Sequence, residues 1–412
     1  MRPIRIVYVA HDVADGRVRN RCRQLLRLGC SLRLFGFHRG RGKGDPELRP
    51  VVLARAADRA FVHRVFAILA GILAFWRNRE ALRDADILMA RNLEQAVVAL
   101  AVACLARVRA RFVYEVLDLH PLQTDAGPIS ALLRAVERLV LARTALLVVS
   151  SPWYVERFYR PRMGYRGPWF LLENKLPEED VAVARERAKA ARLPPRRPGR
   201  PWRILWLGYL RCERSFDILS GLAARRPDLV TVVIRGIPQG TVARELESRV
   251  RALPNVTYGG PYRHPDELGE ICSSADLVWI VHYQGGLNAR FAFANRMYDA
   301  ICFHRPMLAL EGTAIAEFVA THGAGWVLGE PVADNLERLL ESLDEVRWRA
   351  VVDHIAHLPE RVAVDTDDHA RLLARLFPDR FARPGAATPS TELARTDQSA
   401  PSRASSRNFA TW

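Results

Sequence analysis

The chain has 412 residues, of which 49% are hydrophobic and 26% charged, and its formal net charge at pH 7 is +16. This balance is typical of soluble globular proteins rather than of disordered or membrane-embedded chains, and the length favours two domains. The basic excess favours a phosphate-rich partner, which could be nucleic acid, an anionic membrane surface or a diphosphate substrate; an Arg-rich composition with no such partner is the alternative.

The first half of the chain alternates strand-like and helix-like segments. The β-branched run IRIVYVAH is followed by a helical pattern from about Gly16 to Leu28 and by a second strand, SLRLFGF. ADILMAR, RFVYEVLD and ALLVVSS are further strand-like runs, with helical patterns between them. Apolar strands that alternate with helices predict a parallel sheet with both faces covered, here in a first Rossmann-like domain over residues 1–178.

Residues 179–200 are polar, cationic and rich in proline, which predicts an inter-domain linker. A second series of apolar runs follows, including RILWLGYL, VTVVIRG, ADLVWIV and PMLALEG. The predicted fold class is therefore α/β, with a second doubly wound Rossmann-like domain over residues 201–380 that faces the first across a cleft. Residues 381–412 lack apolar periodicity and are predicted to form a disordered tail.

The cysteines and the apolar segments indicate the cellular compartment in which the protein is expected to work. Six cysteines are scattered without a CxxC pair, which argues against a zinc site or a disulfide framework and suits a reducing cytoplasm. The N-terminus leads straight into a strand-like run, so no signal peptide is expected. The longest apolar stretch, Val65 to Trp76, is shorter than the roughly 20 residues of a membrane span.

Seven segments, in their order and spacing, carry a resemblance to a known family. They are YVAHDVADGRVRNRCRQLLRLG, VYEVLDLH, VVSSPWYVERFY, LLENKLP, LGYLRCERSFDIL, SSADLVW and NARFAFANRMYDA. Together they resemble the GT-B glycosyltransferases of family 4, and among these the bacterial enzymes of succinoglycan-type exopolysaccharide biosynthesis. The resemblance implies transfer of a hexose from a UDP- or GDP-linked donor to a saccharide acceptor, which we expect to be carried on polyprenyl diphosphate.

The resemblance implies a ribose-binding carboxylate in the second domain. Asp299 lies seven residues before Pro306, where the family usually has a Glu that accepts hydrogen bonds from both ribose hydroxyls. Asn295 and Arg296 come about one helical turn earlier and would face the same cleft. The alternative for Asp299 is an acidic residue that interacts with the dipole of its helix.

The chain departs from the family pattern at one position. Many members carry two glutamates eight residues apart, and the first of these positions is Phe291 here. Phe291 cannot make the sugar contact implied for that carboxylate, so Asn288 or Arg290 is the candidate substitute. The departure leaves the transferred sugar and the stereochemical outcome open.

The loop after the first strand of the second domain resembles a diphosphate site. Gly208 permits a close approach to the backbone near a helix N-terminus. The resemblance implies that Arg214, which aligns with the family's lysine, and also Arg211 neutralise the leaving diphosphate, so no metal or other cofactor is expected. Two solvated loop arginines are the alternative. Glu311, Gly312 and Thr313 follow another strand end, and their backbone amides could meet phosphate or sugar oxygens.

The first domain is expected to hold the acceptor and the base. Asp118 and His120 end a strand, and either could take the proton from an acceptor hydroxyl; a structural histidine is the alternative for His120. His11 and Asp12 follow the first strand and would border the cleft. Three arginines at the start of the next helix could bind an acceptor pyrophosphate or merely face water: Arg17, Arg19 and Arg21.

The segment from Arg59 to Arg79 has an apolar centre with arginines at both ends and Trp76 at one border. This composition is typical of a segment that lies in the lipid headgroup region, and it predicts peripheral binding to the inner face of the cytoplasmic membrane. A buried core helix is the alternative interpretation.

Two other functions are compatible with parts of the sequence. A nucleic-acid-binding protein would use the basic charge, but no recognised motif is present and the cations are spread along the chain, so no nucleic-acid partner is expected. A sugar-nucleotide epimerase would share the two-domain fold.

Overall fold

The computed structural model describes residues 2–40, 44–55, 61–190 and 199–381. The chain up to Asp368 forms one compact unit, which contains two parallel sheets. The described part of the remaining chain, residues 369–381, carries most of one helix and a second, short helix.

The first sheet is built from strands β1 to β7. Their bounds are β1 Arg5–Ala10, β2 Ser31–His38, β3 Val51–Arg55, β4 Ile87–Arg91, β5 Arg111–Val116, β6 Leu146–Val149 and β7 Trp169–Leu171. They lie in the order β3-β2-β1-β4-β5-β6-β7, and every adjacent pair is parallel. β4 and β6 are buried along their whole length, because helices cover both faces of the sheet.

Helices α1 to α6 connect these strands. Their bounds are α1 Gly16–Arg27, α2 Phe61–Arg77, α3 Leu93–Leu105, α4 Pro121–Thr124, α5 Pro128–Ala142 and α6 Arg160–Met163. The start of α1 is set by Asp15, whose carboxylate accepts the backbone N–H groups of Arg17 and Val18 and so caps the helix just beyond β1.

The second sheet is built from strands β9 to β14. The bounds are β9 Trp202–Leu210, β10 Val230–Pro238, β11 Val256–Tyr258, β12 Leu277–Trp279, β13 Met307–Leu310 and β14 Gly325–Leu328, in the order β11-β10-β9-β12-β13-β14. A small parallel pair joins β8 Leu176–Pro177 to β15 Val364–Asp365.

The remaining helices follow in chain order. They are α7 Glu178–Ala190, α8 Glu213–Arg225, α9 Gly240–Ala252, α10 Leu268–Ser273, α11 Gly286–Phe291, α12 Asn295–Cys302, α13 Ala314–Thr321, α14 Val332–Ser342, α15 Glu345–Ala356, α16 Asp368–Leu376 and α17 Pro378–Phe381. The two parallel sheets confirm the predicted α/β fold class.

The structure corrects the linker prediction for the first half of residues 179–200. These residues form α7, whose Val181 and Ala184 are buried in the same apolar cluster as Leu268 and Ile271 of α10. Small and apolar residues at helical spacing thus pack one face of α7 against the protein, although most of the other residues of this helix are charged. Residues 191–198 lie outside the described residues, as does the predicted tail beyond Phe381.

Candidate active site

A cavity of about 780 Å³ lies between the two sheets, at the carboxyl ends of their strands. Leu117 after β5, Gly208 on β9 and Ile280 after β12 border it. Ligands of parallel α/β sheets bind at these ends. The predicted site residues that line the cavity are His11, Arg17, Asp118, Gly208, Arg211, Asn288, Asn295, Arg296, Asp299 and Thr313.

Two adjacent strand ends leave the main chain of the second sheet open to the cavity. Gly208 on β9 lies opposite Gly236 on β10, and their φ angles are +103° and +138°. A Cβ at Gly236 would lie 1.9 Å from the carbonyl oxygen of Gly208, so the two strands can approach this closely only with a glycine there. A Cβ at Gly208 would meet nothing within 4 Å, so a ligand in the cavity can approach the backbone at Gly208.

Asp299 is a buried carboxylate that lines the cavity from α12. No donor in the described residues hydrogen-bonds its Oδ1, and Nε2 of His264 is 3.8 Å from that oxygen. Burial raises the pKa of Asp299, although His264 opposes the rise. The first turn of α12 contains no acidic residue, so Asp299 is not an ordinary partner of the helix dipole. The free oxygen is instead suited to accept a ligand hydroxyl.

His264 is the titratable neighbour of this carboxylate. Burial by itself would lower its pKa, but the carboxylates of Asp299 and Asp180 outweigh burial and raise it above the usual 6.5. His264 also lines the cavity. A protonated imidazole therefore favours the ionised form of Asp299.

Two arginines make the adjacent wall of the cavity positive. Arg296 donates to the carbonyls of Leu207 and Ile280, both at 3.2 Å, and burial lowers its pKa to about 10. Neither Arg296 nor Arg211 forms an ion pair within the described chain. Their positive charge therefore remains available for an anionic ligand.

His282 lies beside these arginines and is neutral. Burial, together with Arg296 and Arg211, lowers its pKa to about 4. Its Nε2 is buried and has no hydrogen-bond partner among the residues described. The imidazole therefore offers a neutral polar atom to a ligand in the cavity.

The structure places other predicted donor-site residues outside the cavity lining. Arg214 forms an exposed ion pair with Glu330 at 2.8 Å and lies over the ring of Tyr283 at 4.2 Å. Arg290 donates to the carbonyl of Gly312 at 3.3 Å. Of the predicted residues 311–313, Thr313 lines the cavity, whereas Glu311 and Gly312 do not. These positions differ from the prediction because the partners of Arg214 and Arg290, Glu330 and Gly312, come from segments that are distant in the sequence.

Asp118 and His120 differ in their access to the cavity. Asp118 is exposed and lines it, whereas His120 does not. His120 caps α4, where its Nδ1 accepts the N–H of Leu122 at 3.2 Å, and its Nε2 lies 3.1 Å from Arg64. Burial and Arg64 lower the pKa of His120. The geometry therefore favours Asp118 as the residue that reaches a reacting group.

His11 and Asp12 also take different positions. His11 lines the cavity, and burial together with Arg91 lowers its pKa to about 4. Asp12 is buried and accepts the N–H of Ala14 at 3.1 Å, so its carboxylate holds the turn after β1 instead of bordering the cavity.

The structure corrects the acceptor-site prediction for Arg21. This side chain is buried and pairs with Glu115 at 2.8 Å, so it cannot face an acceptor. Burial alone would raise the pKa of Glu115, but Arg91 and Arg21 hold it at about 2. Arg17 lines the cavity and Arg19 is exposed outside its lining.

Phe291 occupies an apolar environment. It packs edge-to-face against Trp153 of the first sheet's core, with 5.7 Å between ring centroids. A carboxylate would be poorly solvated there, which explains physically why this chain tolerates the departure from the family pattern.

Several cavity residues were missed by the sequence analysis. Each follows the end of a strand, which is the one signal that could have found it. They are Asp15 after β1, Asn174 after β7, Tyr262 and His264 after β11, and His282 after β12.

The chain is similar in sequence to one curated bacterial protein. It is 33% identical over 343 residues to the succinoglycan biosynthesis protein ExoL of Rhizobium meliloti, a match that covers 82% of this chain and 85% of that protein. No family profile matches the chain.

Solved structures share the fold at low sequence identity. Anabaena HepE in complex with UDP matches with a TM-score of 0.64 and 14% identity, over 91% of this chain and 100% of that one. The lipopolysaccharide outer core galactosyltransferase WaaB matches with a TM-score of 0.62 and 13% identity, over 91% and 100% of the two chains. These likenesses establish the two-sheet GT-B fold.

Proposed function

The chain is a GT-B glycosyltransferase that belongs to the family of the succinoglycan biosynthesis protein ExoL, and we propose that it transfers a sugar from a UDP-linked donor to a lipid-linked saccharide in exopolysaccharide biosynthesis. The observation that carries the proposal is that one cavity contains both an unpaired carboxylate oxygen and two arginines without an ion-pair partner among the described residues. Asp299 needs hydroxyl donors, and Arg296 and Arg211 need an anion. A nucleoside diphosphate supplies both.

The donor is proposed to lie along the carboxyl edge of the second sheet. The ribose hydroxyls would donate to Asp299, since a carboxylate can accept from both members of a vicinal diol. The diphosphate would lie near Gly208, Arg211 and Arg296, whose positive charge stabilises the leaving group. The choice of uridine rests on the UDP bound to the structurally similar HepE.

Asp118 is proposed to act as the general base. An acceptor hydroxyl would attack the anomeric carbon, its proton would pass to the Asp118 carboxylate, and the bond from the anomeric carbon to the diphosphate would break. Asp118 lines the cavity on the side of the first sheet, opposite the proposed diphosphate region. A positioned base contributes about 10²- to 10⁴-fold to such a step.

Helix α2 supports the proposed membrane association. Its outward face exposes Phe66 by 67%, Leu69 by 53% and Leu73 by 59%, whereas Phe75 on the other face is fully buried. The alternative of a buried core helix therefore does not describe α2. Arg59 of the predicted segment lies outside the described residues. No helix in the described ranges has both the length and the apolar composition to span a bilayer.

The start of α2 lies close to the segment that carries the proposed base. Arg64 of α2 is 3.1 Å from His120, two residues beyond Asp118. An acceptor on a lipid diphosphate could thus keep its lipid at α2 while its saccharide reaches the cavity. The proposal therefore includes a lipid-linked acceptor and peripheral binding of the protein to the inner face of the cytoplasmic membrane.

The test combines a donor screen with a binding measurement. Purified protein is titrated calorimetrically with UDP, GDP and a DNA duplex, and then incubated with UDP-sugars and membranes that contain lipid-linked acceptors. We expect UDP binding and a sugar-extended lipid product, both insensitive to EDTA because the arginines supply the positive charge. Absence of nucleotide binding would contradict the proposal. Conversion of the donor to another UDP-sugar without acceptor would identify an epimerase instead.

A further inference from the structure

Both polar atoms of the Asn288 side chain, on α11, form hydrogen bonds with residues that follow strands of the first sheet. Its Oδ1 accepts the N–H of Leu119 at 2.9 Å and the hydroxyl of Tyr154 at 2.7 Å. Its Nδ2 donates to Oδ1 of Asp118 at 3.0 Å. A side chain so engaged has little capacity left for a donor sugar.

The chemistry of these partners fixes the orientation of the amide. The backbone N–H of Leu119 can only donate, so the Asn288 oxygen must face it. The Tyr154 hydroxyl is less informative, because it lies 2.7 Å from the Asn288 oxygen and 2.9 Å from the carbonyl oxygen of Leu117, and it has one proton for the two. The N–H of Leu119 therefore sets the amide nitrogen towards Asp118, and a flipped amide would lose this hydrogen bond and set its carbonyl against the carboxylate.

The contact leaves one Asp118 oxygen for chemistry. Oδ1 is bound to Asn288, while no hydrogen bond to Oδ2 occurs within the described residues. The same stretch of chain continues from Asn288 into α12, which carries Arg296 and Asp299. The contact thus ties the carboxylate on the first sheet to the segment that forms the opposite wall.

We propose that Asn288 is a positioning residue that orients the Asp118 carboxylate relative to the donor, in place of the sugar contact expected from the sequence. This inference rests on the proposed function, in which Asp118 takes the acceptor proton. Loss of one oriented hydrogen bond lets the carboxylate rotate away, and a displaced reacting group lowers the rate of the chemical step more than it lowers binding.

The experiment compares Asn288→Ala with Asp118→Asn and the double variant. We expect Asn288→Ala to lower kcat by about tenfold to a hundredfold while UDP affinity changes by less than about twofold. In the Asp118→Asn background the same substitution should change kcat by less than about twofold, because the group it positions is gone. Asn255→Ala is the matched control: Asn255 is partly buried, makes two hydrogen bonds to backbone carbonyls and does not line the cavity.

A second measurement provides a readout that needs no turnover. In a crystal structure of Asn288→Ala, the Asp118 carboxylate should leave the orientation that the hydrogen bond from Asn288 gives it, whereas the backbone of its strand end should stay in place.

The outcomes separate this inference from the proposed function. Wild-type-like kcat in Asn288→Ala, or an Asp118 carboxylate that keeps its orientation in the structure of that variant, would overturn the positioning role. A raised KM for the UDP-sugar with unchanged kcat would return Asn288 to the donor site. Failure of the wild-type protein to transfer any sugar would contradict the proposed function, while the orientation of Asp118 in Asn288→Ala would still decide whether Asn288 positions it.

Discussion

Oδ1 of Asp299 lies 3.8 Å from Nε2 of His264, a distance at which the two charges attract without a hydrogen bond. The carboxylate is buried and lines the cavity, and its Oδ1 accepts no hydrogen bond from the residues that the structure describes. The binding of a nucleotide and its dependence on pH should both reflect this pair.

Asp299→Ala is expected to weaken UDP binding by about tenfold to a hundredfold, because hydrogen bonds to a charged acceptor contribute about 1.5 to 3 kcal/mol. Isothermal titration calorimetry measures the loss, and circular dichroism checks that the fold survives. Asp334→Ala on α14 is a control outside the cavity. Unchanged affinity for UDP would remove Asp299 from the site.

The affinity for UDP should fall as the pH drops through the pKa of Asp299, which burial places above 3.8. Protonation turns one carboxyl oxygen into a donor and removes the charge that strengthens the hydrogen bonds from the ribose hydroxyls. In His264→Ala the fall should begin at a higher pH, because the positive charge that favours ionisation is removed. Titrations between about pH 5 and about pH 8 test this prediction, with His357→Ala on a distant helix as the control. Superimposable profiles for His264→Ala and wild type would refute it.

Arg211→Ala should weaken binding of UDP more than binding of uridine, because the positive charge beside the diphosphate is lost. Arg214→Ala is the natural comparison, since Arg214 pairs with Glu330 outside the cavity lining. We expect a smaller effect from Arg214 on the ratio of the two affinities. Competition binding with uridine, UMP and UDP measures that ratio, and a larger loss in Arg214→Ala would reverse the assignment.

Glu115→Gln is expected to destabilise the protein by about 3 to 5 kcal/mol, because it removes the buried carboxylate that the guanidinium groups of Arg21 and Arg91 share, and Asp15 lies as far as 3.9 Å from Arg91. Glu330→Gln removes the carboxylate of an exposed pair and should cost less than about 1 kcal/mol. Urea-unfolding midpoints compare the two variants. Equal midpoints would show that the buried network contributes no more than the surface pair.

Phe66→Ser combined with Leu69→Ser should reduce flotation with anionic liposomes, because each side chain gains roughly 1.5 to 3 kcal/mol when it is buried in an apolar phase. Binding of the wild type should fade with salt, since the exposed Arg77 at the end of α2 attracts anionic lipid. Val346→Ser on α15, where Val346 is 77% exposed, is the matched control. Phe75 is unsuitable because it packs against Phe35 with 4.9 Å between ring centroids. A wild type that never floats would end the membrane proposal.

The sequence by itself determined the features that depend on local pattern. Alternating apolar runs predict the parallel sheets because side-chain periodicity and burial on both faces are properties of neighbouring residues. Position near the carboxyl end of a strand likewise places Gly208 and Asp118 at the cavity, since the carboxyl ends of parallel strands meet there. Asp299 was assigned through the resemblance to the family, and it also lines the cavity.

Only the tertiary structure decided which charged side chains face that cavity. Arg17 and Arg21 lie on the same helix, yet Arg21 turns inward to Glu115, which is 94 residues away in the chain. The amide of Asn288 likewise meets Asp118 across 170 residues. Residues at such separations are brought together by the packing of the assembled chain, and the periodicity of neighbouring residues carries no information about them. The ion pair of Arg21 and the placement of His264 beside Asp299 therefore follow from the tertiary structure alone.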